Sequence, residues 1–277
     1  MPASPRVKSA MVQRPVENIQ AARNFPDVIY CLQKMRISIF IGLTVWIISA
    51  EVCAQKSTET REQVWTGYFN QTRFTERSGI WVDLQLRLNN YFAQKSLSIA
   101  RLGYTYYVSD PLRLTAGYGY ITHYPLDNGF LKIPENRFWQ QVQWFEKKEG
   151  VSFSQYFRVE ERFVRQASNG ELMDESKFTW RFRYNFAVAL PLKPGGLNAG
   201  VPFVFLNDEL HINAGKNVVN NYFDQNRLFA GAGYQFTADL NAQVGYLFVF
   251  QQLPSGSQYV AIHAVRLFVF HNLDFRK

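Results

Sequence analysis

The sequence predicts an all-β chain: an antiparallel up-and-down transmembrane β-barrel of about 10–12 strands, preceded by a signal peptide. Three observations carry that prediction. Apolar and polar residues alternate with period two through most of the chain after residue 60, which sorts them onto opposite faces of strands. The alternating segments are longer than the ~9–11 residues that a tilted strand needs to cross a bilayer. Aromatic residues are dense, and of 24 Phe, 15 Tyr and 6 Trp only Phe25, Tyr30, Phe40 and Trp46 precede residue 55.

Residues 36 to 54 read RISIFIGLTVWIISAEVCA. Lys34 and Arg36 supply a basic start, Ile37 to Ser49 an apolar centre, and Val52-Cys53-Ala54 a small-residue cleavage site. This predicts a signal peptide over 35–54, cut between Ala54 and Gln55. A lasting membrane helix would need about 20 clean apolar residues, and Glu51 interrupts the run. Glu51 and Val52 are also poor neighbours for a lipidated Cys53. Residues 1–34 are expected to be a non-native or disordered extension, and 55–277 a single barrel domain.

Charge and cysteine content narrow the function classes. The first 54 residues hold 6 of the 30 Lys/Arg and 3 of the 22 Asp/Glu, so the exported part carries +5 rather than +8. That is too mild to argue for nucleic acid. Cys31 and Cys53 both precede residue 55, so no disulfide or thiolate metal site is expected in the exported domain.

The expected strands follow in order. They cover 62–73, 79–92, 96–108, 112–124, 135–147, 150–165, 175–191, 201–213, 222–236, 239–252 and 258–271. In the second, Ile80, Val82, Leu84, Leu86 and Leu88 oppose Trp81, Asp83, Gln85, Arg87 and Asn89. In the third, Leu102, Tyr104, Tyr106 and Val108 oppose Arg101, Gly103 and Thr105. In the sixth, Phe153, Phe157, Val159 and Phe163 oppose Ser154, Arg158, Glu160 and Arg162. The seventh sorts most cleanly: Phe178, Trp180, Phe182, Tyr184, Phe186, Val188 and Leu190 against Thr179, Arg181, Arg183, Asn185, Ala187 and Ala189. Breaks fall at SDP (109–111), PLDNG (125–129), SNG (168–170), KPGG (193–196) and PSGS (254–257). Single-chain bacterial barrels have even strand numbers, so ten or twelve is expected, with one of these segments misassigned. The chain closes on LFVFHNLDFRK, an aromatic last strand ending near Phe275.

The polar face carries Arg101, Glu135, Arg137, Arg158, Glu160, Arg162, Arg181, Arg183, Glu209 and Arg227. Inside a narrow barrel such charges must pair across strands, forming a polar plug in place of a core. The functional alternative is an arginine-rich patch that holds phosphate or carboxylate groups of a lipid or small anion. A lipid hydrolase would need a rim set such as His123, Asn128 and Ser109, without a G-x-S-x-G elbow to support it. His211 and His263 are too scattered to propose a metal site, so no metal or cofactor is expected.

The segments ENRFWQQ (135–141), RVEER (158–162), RFRY (181–184), NDE (207–209) and FDQNR (223–227) resemble an uncharacterised Bacteroidetes family known only as a domain of unknown function. Its members are exported and β-barrel-like. The resemblance spans nearly all of 61–275 and implies fold and compartment without an activity. The expectation is a small outer-membrane barrel, structural or lipid- and ligand-interacting, with a lipid hydrolase or narrow channel as alternatives. Its partners would be outer-membrane lipid and, during biogenesis, the barrel-assembly machinery.

Overall fold

The computed structural model describes residues 57–126 and 131–276. The expected signal peptide, the Ala54–Gln55 cut and the extension before it lie outside these residues.

Along β7 (Glu171–Pro191) the polar side chains are buried and the aromatic ones face out. Arg181, Arg183 and Asn185 are buried, whereas Tyr184, Phe186 and Leu190 are exposed. The other strands continue this pattern: β1 (Ser57–Arg73), β2 (Ser78–Asn89), β3 (Gln94–Tyr107), β4 (Leu112–His123), β5 (Ile133–Lys148) and β6 (Val151–Ser168) before it. After it come β8 (Val201–Ala214), β9 (Phe223–Gln235), β10 (Leu240–Gln252) and β11 (Gln258–Asp274). Each pairs with its chain neighbours, and β1 pairs with β11, so the sheet closes on itself as a barrel.

Among the described residues the barrel has eleven strands, not ten or twelve. No expected segment is half of a misassigned hairpin. In an up-and-down barrel with an odd count, the first and last strands run in the same direction. The closing pair is therefore parallel, with Ser57 opposite Gln258 and Arg73 opposite Asp274, while every other pair is antiparallel. Parallel pairing leaves the inward and outward faces matched: Trp65 and Arg266 are partners on the inner face.

The hairpin of β6 and β7 is longer than the sequence pattern suggests. Its tip is Asn169-Gly170, both with positive φ, at 52° and 82°. That is the left-handed pair a two-residue turn needs, and its twist matches the flanking strands. Beyond Lys177 this ribbon loses its outer neighbours, because β5 pairs with β6 only up to Val164 and β8 pairs with β7 only from Trp180. With no buried face to fill, the sequence there does not alternate.

The interior is not polar all round. Phe229, Leu247, Val249, Val260, Ile262, Ala264 and Phe268 pack with Trp65 into an apolar cluster on one wall. It is built by β1 and β9–β11. The strands β10 and β11 are apolar on both faces, which blurs the period-two signal and hides this core from the sequence pattern. The plug expected to replace a core thus fills the opposite side of the barrel, on β2–β9, and shares the interior with a hydrophobic one.

Candidate functional site in the barrel interior

Strand alternation sends every second residue inward, and the tilt of barrel strands lets long side chains lean diagonally rather than straight across. Glu160 illustrates this. It stands opposite Arg181 in the register, yet it accepts from Arg183 Nη1 at 2.7 Å. Its other oxygen lies 3.0 Å from Arg137 Nη1. Arg181 turns instead to Asp224, with Nη2 at 2.9 Å.

Glu135 makes a second node. Its Oε1 accepts from Arg137 Nη2 at 2.6 Å and from Arg162 Nε at 2.7 Å, and its Oε2 sits 2.7 Å from His123 Nε2. Glu209 makes a third, accepting from Arg183 Nε at 2.9 Å and from the Tyr156 hydroxyl. Arg227 reaches Glu209 at 3.4 Å. Arg101 donates to Asp83 at 3.0 Å. Arg158 is held mainly by aromatic faces: its guanidinium lies 4.6 Å from the Trp139 ring centroid and 5.2 Å from that of Trp81. Gln141 accepts its Nε–H at 2.8 Å. The ten charged positions singled out from the sequence all lie on this inner face.

Four participants lie outside the ten charged positions read from the sequence as the lumen network. Asp83 and Asp224 are buried carboxylates that balance Arg101 and Arg181. His211 is fully buried, with Nε2 at 3.0 Å from Glu209. Arg87 packs on Trp65 with its guanidinium carbon 3.4 Å from the ring centroid. Asp83 and Arg87 already stood on the polar face of β2, so the period-two pattern placed them without revealing their partners.

Room for these groups comes partly from glycine. A Cβ on Gly103 or Gly117 would fall 2.9 Å from the Trp139 ring. The bare backbone lets that indole lie flat against the wall, where it is 0% exposed and edges against Trp81 at 4.8 Å between centroids.

Two cavities border the ion-paired layer of the interior. The larger, of about 360 Å³, opens at the end of the barrel where β1 starts and is lined by residues such as Gln63, Arg87, Asn89 and His123. The smaller, of about 210 Å³, lies towards the other end, among Phe69, Gln143, Ser154 and Phe270. Trp65, Arg101, Arg183 and Arg227 border both and form the layer between them.

The hydrolase set does not assemble. Ser109 lies in the β3–β4 turn and His123 at the far end of β4, roughly 35 Å away at about 3.3 Å per residue. Asn128 lies outside the described residues. His123 is engaged with Glu135 instead. Among the described residues no group of three or more His, Cys, Asp or Glu is placed to hold a metal ion.

Residues 62–260 match the family model described as "Protein of unknown function (DUF2490)". The chain belongs to this family. All five segments that carried the resemblance fall within the matched range. A NanC porin structure is similar at 12% identity and a TM-score of 0.45, covering 76% of this chain and 99% of the porin. The β domain of the Bordetella autotransporter BrkA is similar at 14% identity and a TM-score of 0.36, covering 70% and 80%. The comparison with curated proteins gave no match. The closed-barrel architecture rests on the strand register of this chain itself.

Proposed function

We propose that the chain is a small outer-membrane β-barrel whose charged interior is closed to bulk flow and accommodates small ligands. The observation that carries this reading is the inverted polarity of the sheet. Leu84, Leu102, Leu228, Val244 and Val265 are exposed in mid-strand on the outside, while the ion pairs fill the inside. A soluble barrel would expose this apolar surface to water at about 25 cal/mol per Å², whereas lipid accepts it at no such cost. Aromatic side chains bracket the belt as interfacial girdles do. Phe74, Tyr106, Phe236 and Phe275 are exposed at one end and Tyr91, Phe92 and Tyr222 at the other.

Closure to flow is supported by the layer of Trp65, Arg101, Arg183 and Arg227 across the interior. The partners of such a protein are outer-membrane lipid and, during biogenesis, the barrel-assembly machinery. Two experiments test the reading. The purified protein is expected to need detergent and to migrate faster on gels when unheated. In planar bilayers it is expected to give no large, steady openings, and such openings would overturn the closed interior. A protein that stays monodisperse without detergent would overturn the membrane assignment.

A further inference from the structure

The interior carries more guanidinium than carboxylate. Asp83, Glu135, Glu160, Glu209 and Asp224 are its buried acids, and each already has an arginine within 3.0 Å. Many of these guanidinium groups face the larger cavity. Arg61, Arg87, Arg137, Arg162, Arg181 and Arg227 line it, and no Asp or Glu does. Most of these arginines are satisfied by acids set behind the wall, such as Arg162 by Glu135 and Arg181 by Asp224.

Arg87 is different. It pairs with no carboxylate among the described residues, and its Nε has no hydrogen-bond partner. Its guanidinium is held flat against the Trp65 ring at 3.4 Å. Stacking occupies the face of a guanidinium and leaves its in-plane N–H fork free for a planar or tetrahedral anion. Trp65 is itself fixed, because its Nε1–H donates to Gln63 Oε1 at 2.6 Å and Gln63 donates to Asn89 at 2.6 Å. The Arg227 guanidinium lies 5.2 Å from the same indole ring, and its nearest acid is the long 3.4 Å contact to Glu209. Two cations thus face one rigid aromatic plane at the floor of a cavity walled by the neutral hydrogen-bonding side chains of Gln63, Asn89, Ser96 and Gln225.

We propose that this cavity binds a small soluble anion through a carboxylate or phosphate group, with Arg87 as the bidentate donor and Arg227 as the second cation. An unpaired guanidinium held in a low-dielectric wall is costly, and a bound anion removes that cost while gaining charge-assisted hydrogen bonds. The proposal deepens the ligand-binding reading above and rests on it. A free solute is the occupant because the site lies inside the ring of strands, behind the wall that faces lipid.

The test is calorimetric titration of the protein in neutral detergent with inorganic phosphate and, separately, with succinate, at constant ionic strength. The folded state of each sample is checked by heat-modifiable migration. Saturable binding is expected for the unaltered chain. Arg87→Gln is expected to weaken it roughly tenfold or more, the loss of one charged hydrogen-bonding partner. Arg87→Lys is expected to fall between the two. Arg266→Gln, which alters a guanidinium bordering the other cavity, is expected to leave binding unchanged. A chain that migrates as folded but binds neither anion overturns the site and leaves the membrane reading standing. Equal affinity in Arg87→Gln, or binding seen only with vesicles of anionic phospholipid, also overturns it.

Discussion

Glu160 is wholly buried between two arginines, with Arg183 Nη1 at 2.7 Å from one oxygen and Arg137 Nη1 at 3.0 Å from the other. The three side chains come from adjacent strands β5, β6 and β7, so this carboxylate ties together three consecutive staves of the barrel. Removing one partner from such a set leaves charge buried and uncompensated. Glu160→Ala is expected to cost about 3–5 kcal/mol, read as a drop in the temperature or urea concentration at which heat-modifiable migration is lost. Glu160→Gln keeps the shape and some hydrogen bonds and should cost less. Equal midpoints for Glu160→Ala and the unaltered chain would remove this node from the stability of the fold.

Phe182 lies on the outward face of β7, stacked with Phe157 at 6.3 Å between centroids and 18° between planes. In the proposed membrane setting a charge there would sit near the bilayer midplane. Phe182→Arg is expected to cost about 2–4 kcal/mol and to lower the yield of folded barrel. The decisive measurement uses Phe182→Cys in lipid. A fluorophore on that cysteine should be quenched by lipid-borne spin labels, and quenching only by aqueous reagents would contradict a lipid-facing position.

Arg181 and Asp224 make a contact that spans β7 to β9 over the intervening strand. Arg181→Lys preserves the charge but loses the planar guanidinium, which also donates to Asn213 at 3.3 Å. It should destabilise less than Asp224→Ala, which leaves Arg181 without its carboxylate and removes the neighbour of His211. Ranking the unfolding midpoints of the two variants checks this, and the reverse order would show that the pair contributes little.

Gly117 faces its cross-strand partner Gly103 so closely that a Cβ would fall 2.2 Å from the Leu102 carbonyl oxygen. Backbone cannot yield as a flexible side chain does. Gly117→Ala is expected to cost about 1–3 kcal/mol through overpacking. It should also shift the near-ultraviolet circular dichroism of Trp139, whose ring rests on that glycine. An unchanged midpoint and spectrum would mean that the wall can relax around the methyl group.

Asp110, in the turn between β3 and β4, accepts from Arg73 Nη1 at 2.7 Å. That bond holds its carboxyl below the ordinary carboxylate range. A depressed carboxyl contributes its stability fully above the unfolded value of about 3.9 and loses it as pH falls through the lower folded value. The midpoint difference between the unaltered chain and Asp110→Asn should therefore shrink between about pH 6 and about pH 2. A difference that stays constant across that range would show that the pinned turn is not the source.

Much of the fold was legible because period two is a local signal. The face assignment of β7 follows from side-chain alternation alone, and all eleven strands are found where alternation or turn chemistry marked them. The strand count was harder, since an even number is a habit of barrels rather than a consequence of these residues. The long β6–β7 ribbon was missed where SNGELMDES buries nothing and so needs no pattern. In the interior the sequence named the charged side chains but not their partners. Glu160 faces Arg181 in register and bonds Arg183, and that diagonal lean is set by strand tilt, which no linear spacing encodes. Trp65 and Phe229 were likewise hidden, because a large apolar residue on an otherwise polar face gives no hint of which distant strand it meets.

The parallel seam between β1 and β11 has a consequence for sidedness. A chain that threads a membrane an odd number of times starts its first crossing on one side and finishes its last on the other. Ser57 and Asp274 lie at opposite ends of the barrel, so in the proposed membrane setting a peptide tag placed before the first strand and one placed after the last would report different faces of the cell envelope. An antibody or protease confined to one compartment should reach only one of them, whereas in an even-stranded relative it would reach both or neither.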